Sequence, residues 1–70
     1  MNQIKIKDDY IKLGQALKLA GMVGSGVEAK IVIQDGQVLV NGEVCTMRGK
    51  KLRPGDRVSV GGQAFEVTGA

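Results

Sequence analysis

Closely spaced glycine residues interrupt this chain along its whole length. Eleven of its 70 residues are glycine and one is proline. Because glycine favours turns and helix ends, the sequence predicts short helices and short strands, without an internal repeat or a linker. No apolar run approaches the roughly 20 residues of a membrane-spanning helix, and residues 1–5 lack the apolar core of a secretory signal. We therefore expect a cytoplasmic protein without a membrane partner.

The composition excludes most catalytic and metal chemistry. The chain has no histidine, no tryptophan and a single cysteine, Cys45. The most common general base, a disulfide and the Cys/His metal sites are therefore all excluded. A chain of this length buries only roughly 60 % of its unfolded surface, so we expect a single domain over residues 1–70 without a deep cleft. We expect no enzymatic activity, no metal site and no cofactor.

Positive charge is concentrated in two parts of the chain. The net charge is +3, but residues 46–60 carry +4, from five Lys and Arg against Asp56, and residues 1–24 carry +2, from four lysines against two aspartates. A polyanion such as nucleic acid is the expected partner of such a surface, because each neutralised phosphate releases condensed counterions. A basic loop that only keeps the protein in solution would give the same composition.

The first 21 residues predict a strand followed by a helix. Residues 3–7 alternate between polar and apolar, as a half-buried strand does. Asp8 or Asp9 is expected to cap a helix that runs to about Ala20 and ends at Gly21. Five residues fall on the apolar side of this helix: Tyr10, Leu13, Ala16, Leu17 and Ala20.

A second helix is predicted over residues 26–35. Ser25 and Glu28 have the spacing of a capping box, and Gly36 marks the end. Apolar residues occur around most of this helix, so we expect it to be buried on two sides. The remaining polar arc holds Gly26, Lys30 and Gln34.

Two hairpins are predicted after the second helix. Asn41-Gly42 fits a type I′ turn between alternating apolar residues, and Gly61-Gly62 joins the last two strands. A basic, less regular stretch at residues 46–53 leads into a turn at Pro54-Gly55-Asp56. The order of elements predicts an α+β fold in which a helix pair packs on a small, mainly antiparallel β-sheet.

From Lys12 to Val60 the chain resembles the RNA-binding domain of ribosomal small-subunit protein four, the S-four domain. The resemblance is carried by Lys12-Leu13 with Leu17 and Gly21, by Ser25, Glu28, Ala29 and Lys30, by residues 36–42, and by residues 54–60. It implies that the two helices and the following hairpin form the alpha-L motif, with a core motif over residues 12–60. As a stand-alone copy of this domain without a catalytic domain, the chain resembles the small bacterial YbcJ-like and YaaA-like proteins.

The resemblance implies a monomeric module that binds structured RNA, either ribosomal or transfer RNA, with the ribosome as a candidate partner. Eight residues are the candidate RNA contacts: Lys12, Lys18, Lys30, Gln34, Arg48, Lys50, Lys51 and Arg53. Five others are expected to hold turns and helix ends: Ser25, Glu28, Asn41, Gly42 and Gly55.

The chain departs from the family pattern on both helices. Gly26, Ile31 and Gln34 stand where the family usually has arginine, and Gly14 stands where aspartate is common. Lysine cannot form the bidentate contact that arginine makes with a phosphate. We therefore expect either weaker binding or a footprint shifted toward residues 48–53.

The aromatic residues favour recognition through phosphates and shape. Tyr10 and Phe65 are the only aromatic residues, and both are predicted to be buried, so stacking of bases is not expected. The contacts would then go mainly to the RNA backbone. The main alternative is a protein-interaction adaptor whose basic loop docks an acidic or ribosomal partner. A small sulfur-transfer carrier is disfavoured, because such carriers need a C-terminal Gly-Gly and this sequence ends Thr68-Gly69-Ala70.

Overall fold

The structure, a computed structural model, describes residues 2–69 as two helices and seven strands. In chain order the elements are β1 (Asn2–Ile6), β2 (Ile11–Lys12), α1 (Leu13–Leu19), α2 (Gly26–Gln34), β3 (Val38–Val40), β4 (Glu43–Val44), β5 (Lys51–Leu52), β6 (Arg57–Val60) and β7 (Gln63–Gly69). Five strands form one sheet in the order β1-β7-β6-β3-β4. The β1–β7 pair is parallel and the other pairs are antiparallel. The predicted α+β fold with a mainly antiparallel sheet is confirmed.

A single hydrophobic core joins both helices to the sheet and to the short ribbon formed by β2 and β5. Its largest fully buried side chain is Phe65 on β7, which packs with buried residues from both ends of the chain. The core residues are Ile4, Ile6, Leu13, Ala16, Leu17, Val23, Ala29, Ile33, Val38, Val40, Leu52, Val58, Phe65 and Val67. Within residues 2–69 no polar or charged residue is buried, so the interior gives no sign of buried chemistry.

The first helix begins later than predicted. Asp8 and Asp9 lie in an exposed bend, and α1 starts at Leu13 without a side-chain cap. The backbone N–H groups of Leu13 and Gly14 donate instead to the carbonyl oxygens of Lys50 (2.8 Å) and Arg48 (3.1 Å). The predicted aspartate cap is therefore wrong, because a distant part of the chain already satisfies the free amides of this helix.

The residues just before α1 form a strand rather than a helical turn. Ile11 and Lys12 pair with Leu52 and Lys51 in a separate two-stranded antiparallel ribbon. Tyr10 is consequently not on a helix face and is 37 % exposed, so its predicted burial is wrong. Phe65 is buried as predicted.

The second helix confirms its predicted start and corrects its predicted burial. The Ser25 hydroxyl accepts a hydrogen bond from the Glu28 backbone N–H at 3.1 Å, which is the N-cap that the sequence predicts. Only Ala29 and Ile33 are buried, whereas Val27 is 70 % and Ile31 is 60 % exposed. The prediction of burial on two sides is wrong. Helix α2 packs on the core through one face, and none of residues 2–69 covers its opposite face.

The two predicted hairpin turns are present, and one of them is tied to the Pro54-Gly55-Asp56 turn. Asn41 and Gly42 have φ values of 52° and 86°, as a type I′ turn requires. The Asn41 side-chain amide donates to Asp56 Oδ1 (3.1 Å), and its oxygen accepts from the Arg57 N–H (2.9 Å). Asn41 therefore holds two turns together, beyond its predicted role within one.

The structure also bears on the membrane expectation. Across the helices of residues 2–69, none is long and apolar enough to span a bilayer.

Candidate functional site

An open groove of about 360 Å³ lies between α1, the start of α2 and the segment at residues 48–49. Its lining residues are Lys12, Gly14, Gln15, Lys18, Gly26, Ala29, Arg48 and Gly49. Three of these carry a positive charge and none carries a negative charge. We call this surface the basic groove. A site with several exposed cations and no carboxylate is suited to an anion with several charges.

Gly14 allows Arg48 to lie against the first helix. A Cβ atom at position 14 would stand 2.9 Å from Arg48 Cγ, closer than side chains tolerate. The hydrogen bond from the Gly14 N–H to the Arg48 carbonyl fixes the same approach in the backbone. Gly14, which departs from the family pattern, thus allows the basic segment around Arg48 to pack against α1.

Lys12 and Lys51 face each other across the β2–β5 ribbon. They are directly opposed in register, so their side chains leave the ribbon on the same side. Like charges in this arrangement repel each other, and an anion between them would reduce the repulsion. The Lys51 ammonium lies 4.9 Å from the centre of the Tyr10 ring, which places Lys51 beside the basic groove rather than in it.

The start of α2 adds a smaller contribution to the groove. Gly26, its first residue, lines the groove without a side chain. The free N–H groups and the positive end of the dipole of this nine-residue helix therefore face the same region as the three cations. This adds to the attraction for an anion.

Two of the predicted RNA contacts lie elsewhere, around Asp56. Lys50 lines a separate open pocket with Asn41, Glu43 and Asp56. The pKa of Asp56 is lowered, mainly because the Arg53 N–H donates to its carboxylate at 2.8 Å, and burial opposes this only in part. The Asn41 side chain and the charges of Lys50 and Arg53 lower the pKa further. Lys50 and Arg53 therefore stabilise a carboxylate and lie outside the basic groove.

The remaining predicted contacts lie on the exposed side of α2. Lys30 and Gln34 are both exposed and do not line the basic groove. Lys30 follows Gly26 by four residues, so it lies on the same side of the helix as the groove. Of the eight predicted contacts, the structure brings Lys12, Lys18 and Arg48 together and places Lys51 next to them.

Five of the eight groove residues were not among the predicted contacts, namely Gly14, Gln15, Gly26, Ala29 and Gly49, and the exposure of Tyr10 was not predicted either. Gln15 and Lys18 are three positions apart on one helix face, so the spacing could have indicated Gln15. The approach of Gly14 to Arg48 has no local signal, because the two residues are 34 positions apart. Gly49 directly follows Arg48 and reaches the groove through the same contact, whereas the position of Tyr10 depends on the pairing of β2 with β5.

Comparison with known proteins agrees with this architecture. The chain matches the S4 domain family over residues 4–68. It is 46% identical over 67 residues to a Bacillus subtilis protein named "Probable ribosome maturation protein RlbA", and the match covers 94% of each chain. It is 41% identical over 61 residues to YbcJ of Escherichia coli, covering 87% of each chain.

A solved structure extends the comparison from sequence to fold. The solution structure of Escherichia coli YbcJ, described as having an alpha-L motif involved in RNA binding, superposes with a TM-score of 0.75 at 38% identity. The match covers 97% of this chain and 87% of YbcJ. The resemblance drawn from the sequence is confirmed, and the chain belongs to the S4 domain family.

Proposed function

We propose that this chain is a non-enzymatic module that binds structured RNA through phosphate contacts and shape. The observation that carries the proposal is the basic groove, in which Lys12, Lys18 and Arg48 converge without a carboxylate. The alpha-L motif of YbcJ, described as involved in RNA binding, supports the same reading. Ribosomal RNA is the first target to test, ahead of transfer RNA, because RlbA is named for ribosome maturation. The module would act as a monomer in the cytoplasm.

The groove favours the RNA backbone over base edges. Its cations are long, exposed side chains around a floor of Gly14, Gly26 and Ala29. Lysine and arginine at such a surface position a phosphate chain but carry little sequence information. Shape then decides which RNA fits, as it does for most proteins that bind folded RNA.

The salt dependence of binding tests the proposal. A folded ribosomal RNA fragment and an unstructured strand of equal length would be titrated by fluorescence anisotropy at several salt concentrations. We expect tighter binding to the folded RNA. In the double variant Lys18→Ala/Arg48→Ala, the slope of log K against log salt should flatten by about 2, because about one unit is lost per phosphate contact.

The matched control removes the same charge from the other side of the sheet. Lys5 and Arg57 are exposed and alternate with buried residues of β1 and β6, so they face away from the helices. The variant Lys5→Ala/Arg57→Ala should keep nearly the wild-type slope. Equal slopes for the two double variants would reject the basic groove as the binding site, and no binding of wild type at low salt would reject RNA binding itself.

A further inference from the structure

Another open pocket, distinct from the one around Asp56, adjoins the basic groove at the exposed Tyr10. Its volume is about 520 Å³. Its lining residues are Lys7, Asp8, Asp9, Tyr10, Lys12 and Gln15. Lys12 and Gln15 also line the basic groove, so one ligand can occupy both. We call this second surface the tyrosine pocket.

The two adjoining surfaces differ in charge. The charged residues of the basic groove are all positive, whereas the tyrosine pocket has two lysines and two aspartates. A phosphate group therefore gains nothing overall by entering the tyrosine pocket, where Asp8 and Asp9 repel it. An uncharged group with an aromatic face and N–H donors would gain from both the ring and the carboxylates.

A nucleobase has these properties. Its face stacks on aromatic rings, and its amino or imino N–H groups donate to carboxylate oxygens. Proteins that bind RNA loops and bulges hold unpaired bases in this way. Since the proposed function places phosphates in the basic groove, the base of a neighbouring nucleotide can reach Tyr10 across Lys12 and Gln15.

We propose that the tyrosine pocket holds one unpaired nucleobase of the RNA whose phosphates occupy the basic groove. This inference rests on the proposed function and adds a recognition element to it. The module would then select a folded RNA with a bulged or looped-out nucleotide over a perfect duplex. Tyr10 would be the stacking residue, and Asp8 and Asp9 would accept hydrogen bonds from the base.

Lys51 occupies part of the ring surface in the free protein. Its ammonium lies 4.9 Å from the ring centre, and the side chain is exposed. A cation over an exposed ring is held more weakly than a stacked base. A base can therefore displace Lys51, and the released ammonium stays near the RNA backbone.

The test uses an RNA hairpin with one bulged nucleotide and the same hairpin with an abasic residue at the bulge. The two RNAs have the same phosphates, so they differ only in the base. Wild type should bind the hairpin with the base on the order of 10-fold more tightly, the effect of one stacked base. Tyr10→Ala should lose most of this preference, because only the hydrogen bonds to Asp8 and Asp9 would remain, and Tyr10→Phe should keep it. Circular dichroism of each variant checks that the fold is intact.

The outcomes separate the pocket from the groove. Equal, salt-sensitive binding of wild type to both hairpins would overturn the base site and leave the proposed function in place. A preference of the same size in Tyr10→Ala as in wild type would overturn the role of Tyr10. No binding to either hairpin at low salt would overturn the proposed function instead.

Discussion

At the scale of single residues, Gly14 connects the fold to the basic groove. Its missing side chain leaves room for Arg48, whose Cγ would lie 2.9 Å from an added Cβ. Alanine is the better helix former by up to about 1 kcal/mol in a helix interior; Gly14 is the second residue of α1, so a smaller gain would offset part of the cost of the close contact. A substitution at position 14 is therefore expected to change RNA binding while the protein stays folded.

We expect Gly14→Ala to lower RNA affinity while the protein remains folded. The new methyl group would push the Arg48 side chain out of the groove and weaken one charged contact, an effect of roughly 3- to 10-fold. Anisotropy titration and thermal unfolding would be measured on the same sample. Gly24→Ala is the matched control, because an added Cβ there meets only Glu28 Oε2, at 4.0 Å, and Gly24 does not line the groove. The same loss of affinity in both variants would contradict this role of Gly14.

Asp56 predicts a specific dependence of stability on pH. Its pKa is lowered below the ordinary 3.8, chiefly by the Arg53 N–H, so the folded state favours the carboxylate. The stability from this preference is fully present well above pH 3.8 and is lost as the pH falls below it. Denaturant unfolding between pH 6 and 2 should show that the free energy of unfolding falls more steeply for wild type than for Asp56→Asn. If the free energy of unfolding falls with pH in parallel for the two proteins, this role of Asp56 is contradicted.

Local signals identified the residues of turns and caps but not their distant partners. The Asn41-Gly42 turn and the Ser25 cap depend on neighbours within four positions, and both were predicted correctly. The hydrogen bonds of Asn41 to Asp56 and Arg57 cross 15 and 16 positions. Tyr10 was placed on a helix face because helical periodicity takes no account of strand pairing with residues 51–52.

At the scale of elements, the first helix shows how a distant segment overrides a local cap. Asp8 and Asp9 are good N-cap residues, but strand pairing of Ile11 with Leu52 extends the chain beyond them. The carbonyl groups of residues 48 and 50 then satisfy the first amides of α1. The helix start and the basic loop are thus one structural unit, which no pattern within the helix could indicate.

The cap of the second helix gives a prediction about element stability. Ser25→Ala removes the acceptor of the Glu28 N–H, which should cost about 1 kcal/mol and lower Tm by about 4–8 °C for a domain of this size. Ser25→Asn is the control, because asparagine caps as well as serine does. Thermal unfolding by circular dichroism measures both variants. Equal Tm values for wild type and Ser25→Ala would show that the cap contributes nothing.

At the scale of the whole molecule, the hydrophobic core extends beyond residues 12–60, the range expected for the alpha-L core motif. Ile4 and Ile6 lie on β1, Phe65 and Val67 lie on β7, and all four are buried. We therefore propose that residues 1–70 fold as one domain. A fragment of residues 12–60 lacks these four side chains, each of which is worth about 2–5 kcal/mol in a core, against a total stability of about 5–15 kcal/mol.

We expect the 12–60 fragment to remain unfolded and the full chain to unfold in one transition. Urea titration of the full chain should give coincident curves from circular dichroism and from Tyr10 fluorescence. The fragment should show no cooperative curve under the same conditions. A sigmoidal transition in the fragment would show that the motif folds alone and that β1 and β7 are additions to it.

The sequence predicted the chemistry of the candidate site better than its shape. Lys12, Lys18 and Arg48 were among the predicted contacts because charge can be counted along a chain, and the structure brings them together. Lys50 and Arg53 could not be separated from them, because their proximity to Asp56 depends on the folded turn. A run of like charges does not indicate which members face the same way.

The opposed lysines of the β2–β5 ribbon make ionic strength act on this protein in two opposite directions. Salt screens the repulsion between Lys12 and Lys51 and so stabilises the free fold. The same salt weakens attraction to a polyanion. At low salt the free β2–β5 ribbon is therefore least stable, and the affinity for a polyanion is highest. A bound anion then screens the repulsion between Lys12 and Lys51 in place of the missing salt. Amide hydrogen exchange in the ribbon should slow when salt is added and should also slow when RNA is added at low salt. Either one reduces the repulsion between the two lysines.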